Sequence, residues 1–298
     1  MHSKRLRCLE RFTSKHTPIS SYECIAIINE GSVNFTTLNL SETLAKLRPI
    51  GLDAMDGAEL MNRLDQKFLI QEDWIPTLLL DCQDEYQILE VEGERITAYK
   101  NQFVETPALD SFENHVRGRK NRFKARIRKY GSNGIAFLEV KHKTVHGRTL
   151  KERLLRSKEE PWNAPLTHQE TSFLNDRYPY PDGILTGISN SFNRCTLVST
   201  TRKERVTIDS QILFHSGEKE ERLNGLAILE VKQSKIDRLS PIHKALKKYT
   251  GFPPPLGRPT SMSKYIIGML LLNRELPPRT YRSIFRSIKR LKNYIPQT

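Results

Sequence analysis

Cysteine is scarce in this chain, and the four present are scattered. Cys8, Cys24, Cys82 and Cys195 form no CxxC pair. That argues against a cysteine-built zinc site and a disulfide framework, and it fits a reducing, cytoplasmic setting. Long apolar runs are missing too. The longest, residues 265–272, is too short to span a bilayer. The basic N-terminus, residues 1–12, is not followed by the apolar stretch a signal peptide needs. There is no Walker A sequence, no G-x-S-x-G elbow, and no HExxH pair among the eight histidines. Acidic residues are the minority sign, 34 against 48 Lys and Arg, for a net charge of +14. An anionic partner or substrate is therefore expected. Nucleic acid, an acidic membrane face and polyphosphate all remain open on charge alone.

What is present is a set of short stretches in which alternate residues are charged. They are Arg63, Asp65 and Lys67; Lys124, Arg126 and Arg128; Glu139, Lys141 and Lys143; Arg205, Thr207 and Asp209; and Glu230 with Lys232. Successive side chains of a strand point to opposite faces, so each set lines one face. The other face carries Leu64, Ala125, Ile127, Leu138, Val140, Val206, Ile208, Leu229 and Val231. A single stretch of this kind is usually a solvated sheet face. Side by side, the stretches would make a concave cationic surface with a few acidic points, which suits a polyanion with a divalent metal. The segment Leu-Glu-Val-Lys occurs at 138–141 and again at 229–232, a hint of two sheet halves presenting the same chemistry.

The chain's 298 residues suffice for one large domain or two ordinary ones. Residues 1–33 form an unassigned extension or an added edge strand. Polar caps and the spacing of Leu40, Leu44 and Leu47 predict a helix from Asn39, ended by Pro49 and Gly51. A charged strand over 60–70 precedes a helix over 71–80, with Pro76 near its first turn. Two short strands are expected within 86–104 around Glu92-Gly93-Glu94. A hairpin joins 123–130 to 135–143 through residues 131–134, and 148–155 continues the meander. A helix over 167–175 follows, then strands at 192–200, 203–210 and 225–232, an apolar helix over 262–272, and a basic amphipathic helix over 281–294. The sum is an α+β domain on a barrel-like or strongly curved antiparallel sheet, 34–280, with the tail helix at 281–298.

Arg and Lys bind phosphate by charge-assisted contacts, and phosphoryl transfer needs mainly positioning, neutralised charge and a bridging metal. Glu230, with Glu139 and either Asp65 or Asp209, offers carboxylates for a hard cation beside the cationic rows.

A family resemblance rests on these residues. In order come Arg63-x-Asp65-x-Lys67, the run from Asn121 to Tyr130, Phe137-x-Glu139-x-Lys141-x-Lys143, Gly147-x-Thr149-x-Lys151-x-Arg153, Arg205-x-Thr207-x-Asp209, Ile228-x-Glu230-x-Lys232 and Ser263-Lys264-Tyr265. This pattern resembles the VTC (vacuolar transporter chaperone) domain, the polyphosphate polymerase branch of the triphosphate tunnel, or CYTH-like, superfamily. The resemblance covers about residues 58–273. It implies a closed tunnel of about eight antiparallel strands, with Mn²⁺ or Mg²⁺ as cofactor. It implies that Lys67, Arg126, Arg128, Lys141, Arg205 and Lys264 act on the reacting phosphates. Arg63, Lys124, Lys143, Lys151, Arg194 and Lys232 would be further phosphate-binding cations. Glu230 matches the family's metal-binding glutamate, with Glu139 and Asp209 as further metal candidates. The family's Tyr-Phe-Asp-Thr-like stretch is replaced by Gln102-Phe103-Val104-Glu105-Thr106, and the segment before Arg205 is short.

Three functions follow as expectations. The first is a polymerase that transfers the γ-phosphoryl group of ATP to a growing polyphosphate chain. The second is a hydrolase of triphosphates on the same fold. The third is a polyphosphate-binding module without catalysis. Nucleic acid is not an expected partner, because the charged faces offer little base stacking. The basic tail adds an expectation of docking to a membrane or a membrane protein at the inner face.

Overall fold

The computed structural model describes residues 24–29, 32–37, 39–58, 64–146, 148–180, 184–248 and 256–292. Its strands are β1 (Cys24–Asn29), β2 (Ser32–Thr37), β3 (Arg48–Ile50), β4 (Leu64–Gln71), β5 (Tyr86–Leu89), β6 (Thr97–Glu105) and β7 (Arg122–Tyr130). They continue with β8 (Ala136–Lys143), β9 (Thr149–Leu155), β10 (Ile184–Ser199), β11 (Glu204–Ser216), β12 (Lys219–Arg222) and β13 (Leu226–Gln233). The helices are α1 (Leu40–Lys46), α2 (Ile75–Leu80), α3 (Asp110–Val116), α4 (His168–Arg177), α5 (Pro241–Lys248), α6 (Lys264–Leu272) and α7 (Arg282–Lys292).

Eight strands run in the order β4-β13-β11-β10-β6-β7-β8-β9, every neighbouring pair antiparallel. β12 adds to β11, β5 adds to β10, and β3 pairs with β5 in parallel. The expected eight-stranded antiparallel framework is present. It departs from a closed tunnel in one respect: among the described residues no ladder joins β4 to β9. β1 and β2 pair with each other as a separate two-stranded sheet rather than adding an edge strand; residues 1–23, 30 and 31 lie outside the described residues.

Local chemistry explains the elements that position the site. Asn39 caps α1 by accepting from the Ser41 N–H at 2.9 Å, and the helix stops at Leu47, so Pro49 falls in β3 instead of ending the helix. Thr167 and Glu170 form a reciprocal capping box at the start of α4. The β7–β8 hairpin turns through Gly134, whose φ of +67° suits a residue without a Cβ. In β10 and β11 the pairing register slips between Ser191 and Asn193. Opposite, Gln211 takes a positive φ of 51° and donates its N–H to Glu72. Such a bulge bends and twists both strands.

Three apolar clusters follow from the alternation. Leu197, Val206, Ile208, Leu229 and Val231 pack outward against α1, α2 and α5. Ala125, Ile127, Leu138 and Val140 pack outward beneath Leu174 and Tyr178 at α4. The third cluster lies on the inner face, where α6 and α7 pack on Leu69, Phe103, Phe192 and Ile228. Leu64 is the exception to the expected alternation: it begins β4 and is 49% exposed, because the strand's first residues run beyond the packed layer.

Candidate functional site

The inner face carries the charged residues, organised around three carboxylates, each held by cations from neighbouring strands. Glu139 on β8 faces Arg126 on β7 in the ladder. Arg126 donates to its Oε2 from Nε at 2.8 Å and Nη2 at 2.7 Å, and Lys151 from β9 pairs with Oε1. Arg128 stands 3.9 Å away. Glu230 on β13 faces Lys67 on β4 at 2.8 Å and also pairs with Lys232 on its own strand. Asp209 on β11 accepts both donors of Arg194, at 2.5 and 2.7 Å, and pairs with Lys264 at the start of α6. The two Leu-Glu-Val-Lys segments thus present the same chemistry from two parts of the sheet.

These surroundings set the ionisation. Burial alone would raise each carboxyl, but the adjacent cations win. Asp209 is held at about 2 by Arg194 and Lys264. Glu139 is driven below the usual carboxylate range by Arg126, Arg128 and Lys151, and Glu230 by Lys232 and Lys67. The lysines move the other way. Desolvation lowers Lys141, Lys232 and Lys264 each to about 8. Lys124, which donates to Ser263 Oγ at 3.0 Å, is depressed further by desolvation and by Lys141, Arg122, Lys67 and Arg126.

Lys67 and Lys141 sit on β4 and β8, near opposite ends of the eight-strand path, yet the Lys67 charge contributes to lowering Lys141. The sheet therefore curls until its two flanks face each other. Lys141 is exposed to water although protein surrounds it on most sides, as expected of a side chain projecting into a wide groove.

Most of the sequence-predicted residues are brought to this face. Lys67, Arg126, Arg128, Lys141, Lys151, Arg194, Lys232 and Lys264 converge around the carboxylates. Lys124 joins them at Ser263, and Lys143 lies at the rim beside Arg122 and Lys67. Arg205 faces Lys232 in the ladder, one alternation from Thr207 and Glu230. Arg63 lies outside the described residues. The three metal candidates, Glu230, Glu139 and Asp209, are not gathered into one cluster. Among the described residues no group of three metal-type ligands forms, because each carboxylate is engaged by its own cations.

Other residues of the site were not singled out in the sequence. Glu105 is fully buried and accepts the N–H groups of Thr106, Ser111 and Phe112 at 2.9–3.0 Å, together with the Tyr265 hydroxyl. It ties the start of α3 to α6 and so fixes Lys264. Arg128 donates to Asn101 at 2.8 Å, and Asn101 donates to Asn190 at 2.7 Å. Tyr99 and Phe192 stack at 5.3 Å beneath Arg194, whose guanidinium carbon lies 4.9 and 5.3 Å from their ring centroids. The alternation of β6 and β10 would have placed these residues inward, but Asn and aromatic residues carry no charge signal.

Taken together, these features describe a curled antiparallel sheet whose inner face is a largely desolvated cationic groove. Residues 62–178 match the VTC domain family, so the resemblance read from the sequence is borne out over that segment. No curated protein matches the chain. Solved structures similar to it include a Bacillus halodurans protein described provisionally as an adenylate cyclase (14% identity, 68% of this chain and 96% of that one, TM-score 0.43). A Pyrococcus horikoshii protein matches with 12% identity over 71% of this chain and 98% of that one, TM-score 0.40. The Hippeastrum protein HpAC1, described as having a dominant triphosphatase activity, matches with 13% identity over 69% of this chain and 95% of that one, TM-score 0.38.

Proposed function

We propose that this protein is an enzyme acting on linked phosphates, and that it transfers the γ-phosphoryl group of ATP to a growing polyphosphate chain. One observation carries the proposal: lysines and arginines from five strands and the start of α6 converge on one concave face, ion-paired around carboxylates that hold them in place. The VTC-domain match supports the same reading.

The residues suit the chemistry. Arg126 and Arg128 present planar forks for phosphate oxygens, and Lys67, Lys141 and Lys264 supply point charges. A terminal phosphate oxygen of the chain attacks the γ-phosphorus. The bond to the β–γ bridging oxygen breaks, and ADP leaves with that oxygen. The charge spread over the transferring group is stabilised by fixed cations in a desolvated site.

The resemblance implies Mn²⁺ or Mg²⁺, and the donor set fits a hard ion. Glu230 faces Thr207 across the β11–β13 ladder, and Thr207 Oγ1 is buried without a hydrogen-bond partner. An ion shared with phosphates needs only one or two protein carboxylates. Glu230 would hold it, with Thr207 beside it. When bound, such an ion would supply positive charge to offset that of the phosphates.

A specific observation favours a second reading, hydrolysis at the same site with water as nucleophile. α6 packs into the inner face against Phe103, Phe192 and Ile228, which narrows the route by which a long product would pass through. Incubating the protein with ATP and Mn²⁺ separates the readings, with Glu230→Gln alongside. Long metal-dependent chains, lost in the variant, support polymerisation. Free phosphate without chains supports hydrolysis. Binding of polyphosphate with neither product would leave a binding module and overturn both enzyme readings.

A further inference from the structure

The C-terminal helix packs its apolar side on the inner-face cluster and carries a second basic feature on its exposed side. Arg282, Arg286 and Lys289 recur along α7 at spacings of four and three residues, so they form one exposed row about 10 Å long. Arg274, just beyond the C-terminal end of α6, lines with them a groove of about 360 Å³ whose lining also includes Leu276 and Phe285. The lining contains no carboxylate, and among the described residues none of the four cations makes an ion pair. The groove lies at the opposite end of α6 from Lys264, roughly 15 Å away along the helix axis.

We propose that this groove is an auxiliary binding site for a chain of linked phosphates, holding the part of a polyphosphate that extends beyond the inner face. The inference rests on the reading that the inner face takes linked phosphates. Charge complementarity selects the occupant. A row of cations that makes no ion pair among the described residues, over a partly apolar floor, favours a flexible polyanion, because low-dielectric walls strengthen the attraction. A lipid surface fits less well. The apolar face of α7, with Ile284 and Ile288, is buried in the inner cluster and cannot insert. Lys289 also lies over the Phe285 ring at 4.7 Å, covering part of the floor.

The test uses the full chain and the triple variant Arg282→Gln/Arg286→Gln/Lys289→Gln, whose substituted side chains are exposed. Affinities for tripolyphosphate and for long-chain polyphosphate are measured at two salt concentrations, with Lys67→Ala/Arg126→Ala in parallel. We expect the triple variant to lose about tenfold or more in long-chain affinity, with a shallower salt dependence. Its tripolyphosphate affinity should change by less than about twofold. Unchanged long-chain affinity, or equal losses for both ligands, overturns the proposal. If the wild type binds long chains through α7 but no tripolyphosphate, the groove stands and the inner-face reading falls. Vesicles of phosphatidylserine and phosphatidylcholine form the last arm. A triple variant that loses vesicle association but keeps long-chain binding assigns the groove to membranes and overturns the proposal.

Discussion

Lys67 on β4 and Glu230 on β13 face each other across one ladder, their charged groups 2.8 Å apart on the inner face. Lys232 holds the second oxygen of the same carboxylate. An incoming phosphate would compete with Glu230 for both ammoniums, and a divalent ion would compete with both ammoniums for Glu230. The pairs therefore keep the site ordered while leaving each charge available for exchange.

Glu139 organises the other flank, and removing its charge has a defined cost. In Glu139→Gln, Arg126, Arg128 and Lys151 lose their shared counter-charge. We predict a stability loss of about 1–3 kcal/mol, less than for a fully buried pair because Arg126 and Lys151 are partly exposed. Urea denaturation checks this. A midpoint equal to wild type would show that the carboxylate does not organise these cations.

Acid should weaken the fold through the same carboxylates. Their folded pKa values lie below the unfolded ones, so the stability they contribute is complete above the ordinary carboxylate range. It is lost as the pH falls toward about 2, the value for Asp209. Asp209→Asn removes one such group and should flatten the decline of the urea midpoint between about pH 5 and pH 3. Parallel curves for the two proteins would contradict the assignment.

The lysines predict the opposite trend in alkali. Lys141, Lys232 and Lys264 titrate at about 8 in the folded protein, below their unfolded values, so the unfolded chain binds more protons above that pH. Stability carried by these groups should rise from about pH 8 toward pH 10. Affinity for tripolyphosphate should fall over the same range, by about tenfold or more, as the ammoniums lose charge. Calorimetric titration and thermal melts at matched pH values separate the two trends. Affinity that stays level past about pH 9 would remove these lysines from the site.

α6 is expected to transmit packing defects to Lys264. A Cβ at Gly268 would meet the Phe214 ring at 2.6 Å, and Phe214 is fully buried. Gly268→Ala should cost about 1–3 kcal/mol and should also weaken tripolyphosphate binding, although residue 268 lies a full turn from Lys264. A variant destabilised to that extent with unchanged binding would show that α6 does not position Lys264.

Much of this arrangement was legible in the sequence because charge alternation is a local signal. β7, β8, β11 and β13 announce both faces, and the apolar positions Ala125, Ile127, Leu138, Val140, Val206 and Ile208 are buried as that pattern implies. The first half of β10, with Gly187 and Asn190, shows no such alternation, and the sequence marks the strand only from residue 192 onward. α3 and α5 are short helices stabilised by tertiary contact, Glu105 capping the first and Ile242 and Leu246 packing the second. The curl that brings Lys67 toward Lys141 depends on a bulge and on long-range packing, which no window of sequence encodes. For the same reason the carboxylates could be named but not their separation. Each is claimed by neighbours from other strands.

Calorimetric titration of tripolyphosphate into the wild type, Lys67→Ala and Arg126→Ala tests the central claim most directly. The account predicts saturable binding to the wild type that strengthens with Mn²⁺, and a loss of about tenfold or more in each variant. Absence of binding to the wild type, or variants that bind as tightly as it does, would contradict the assignment of the inner face as the phosphate site.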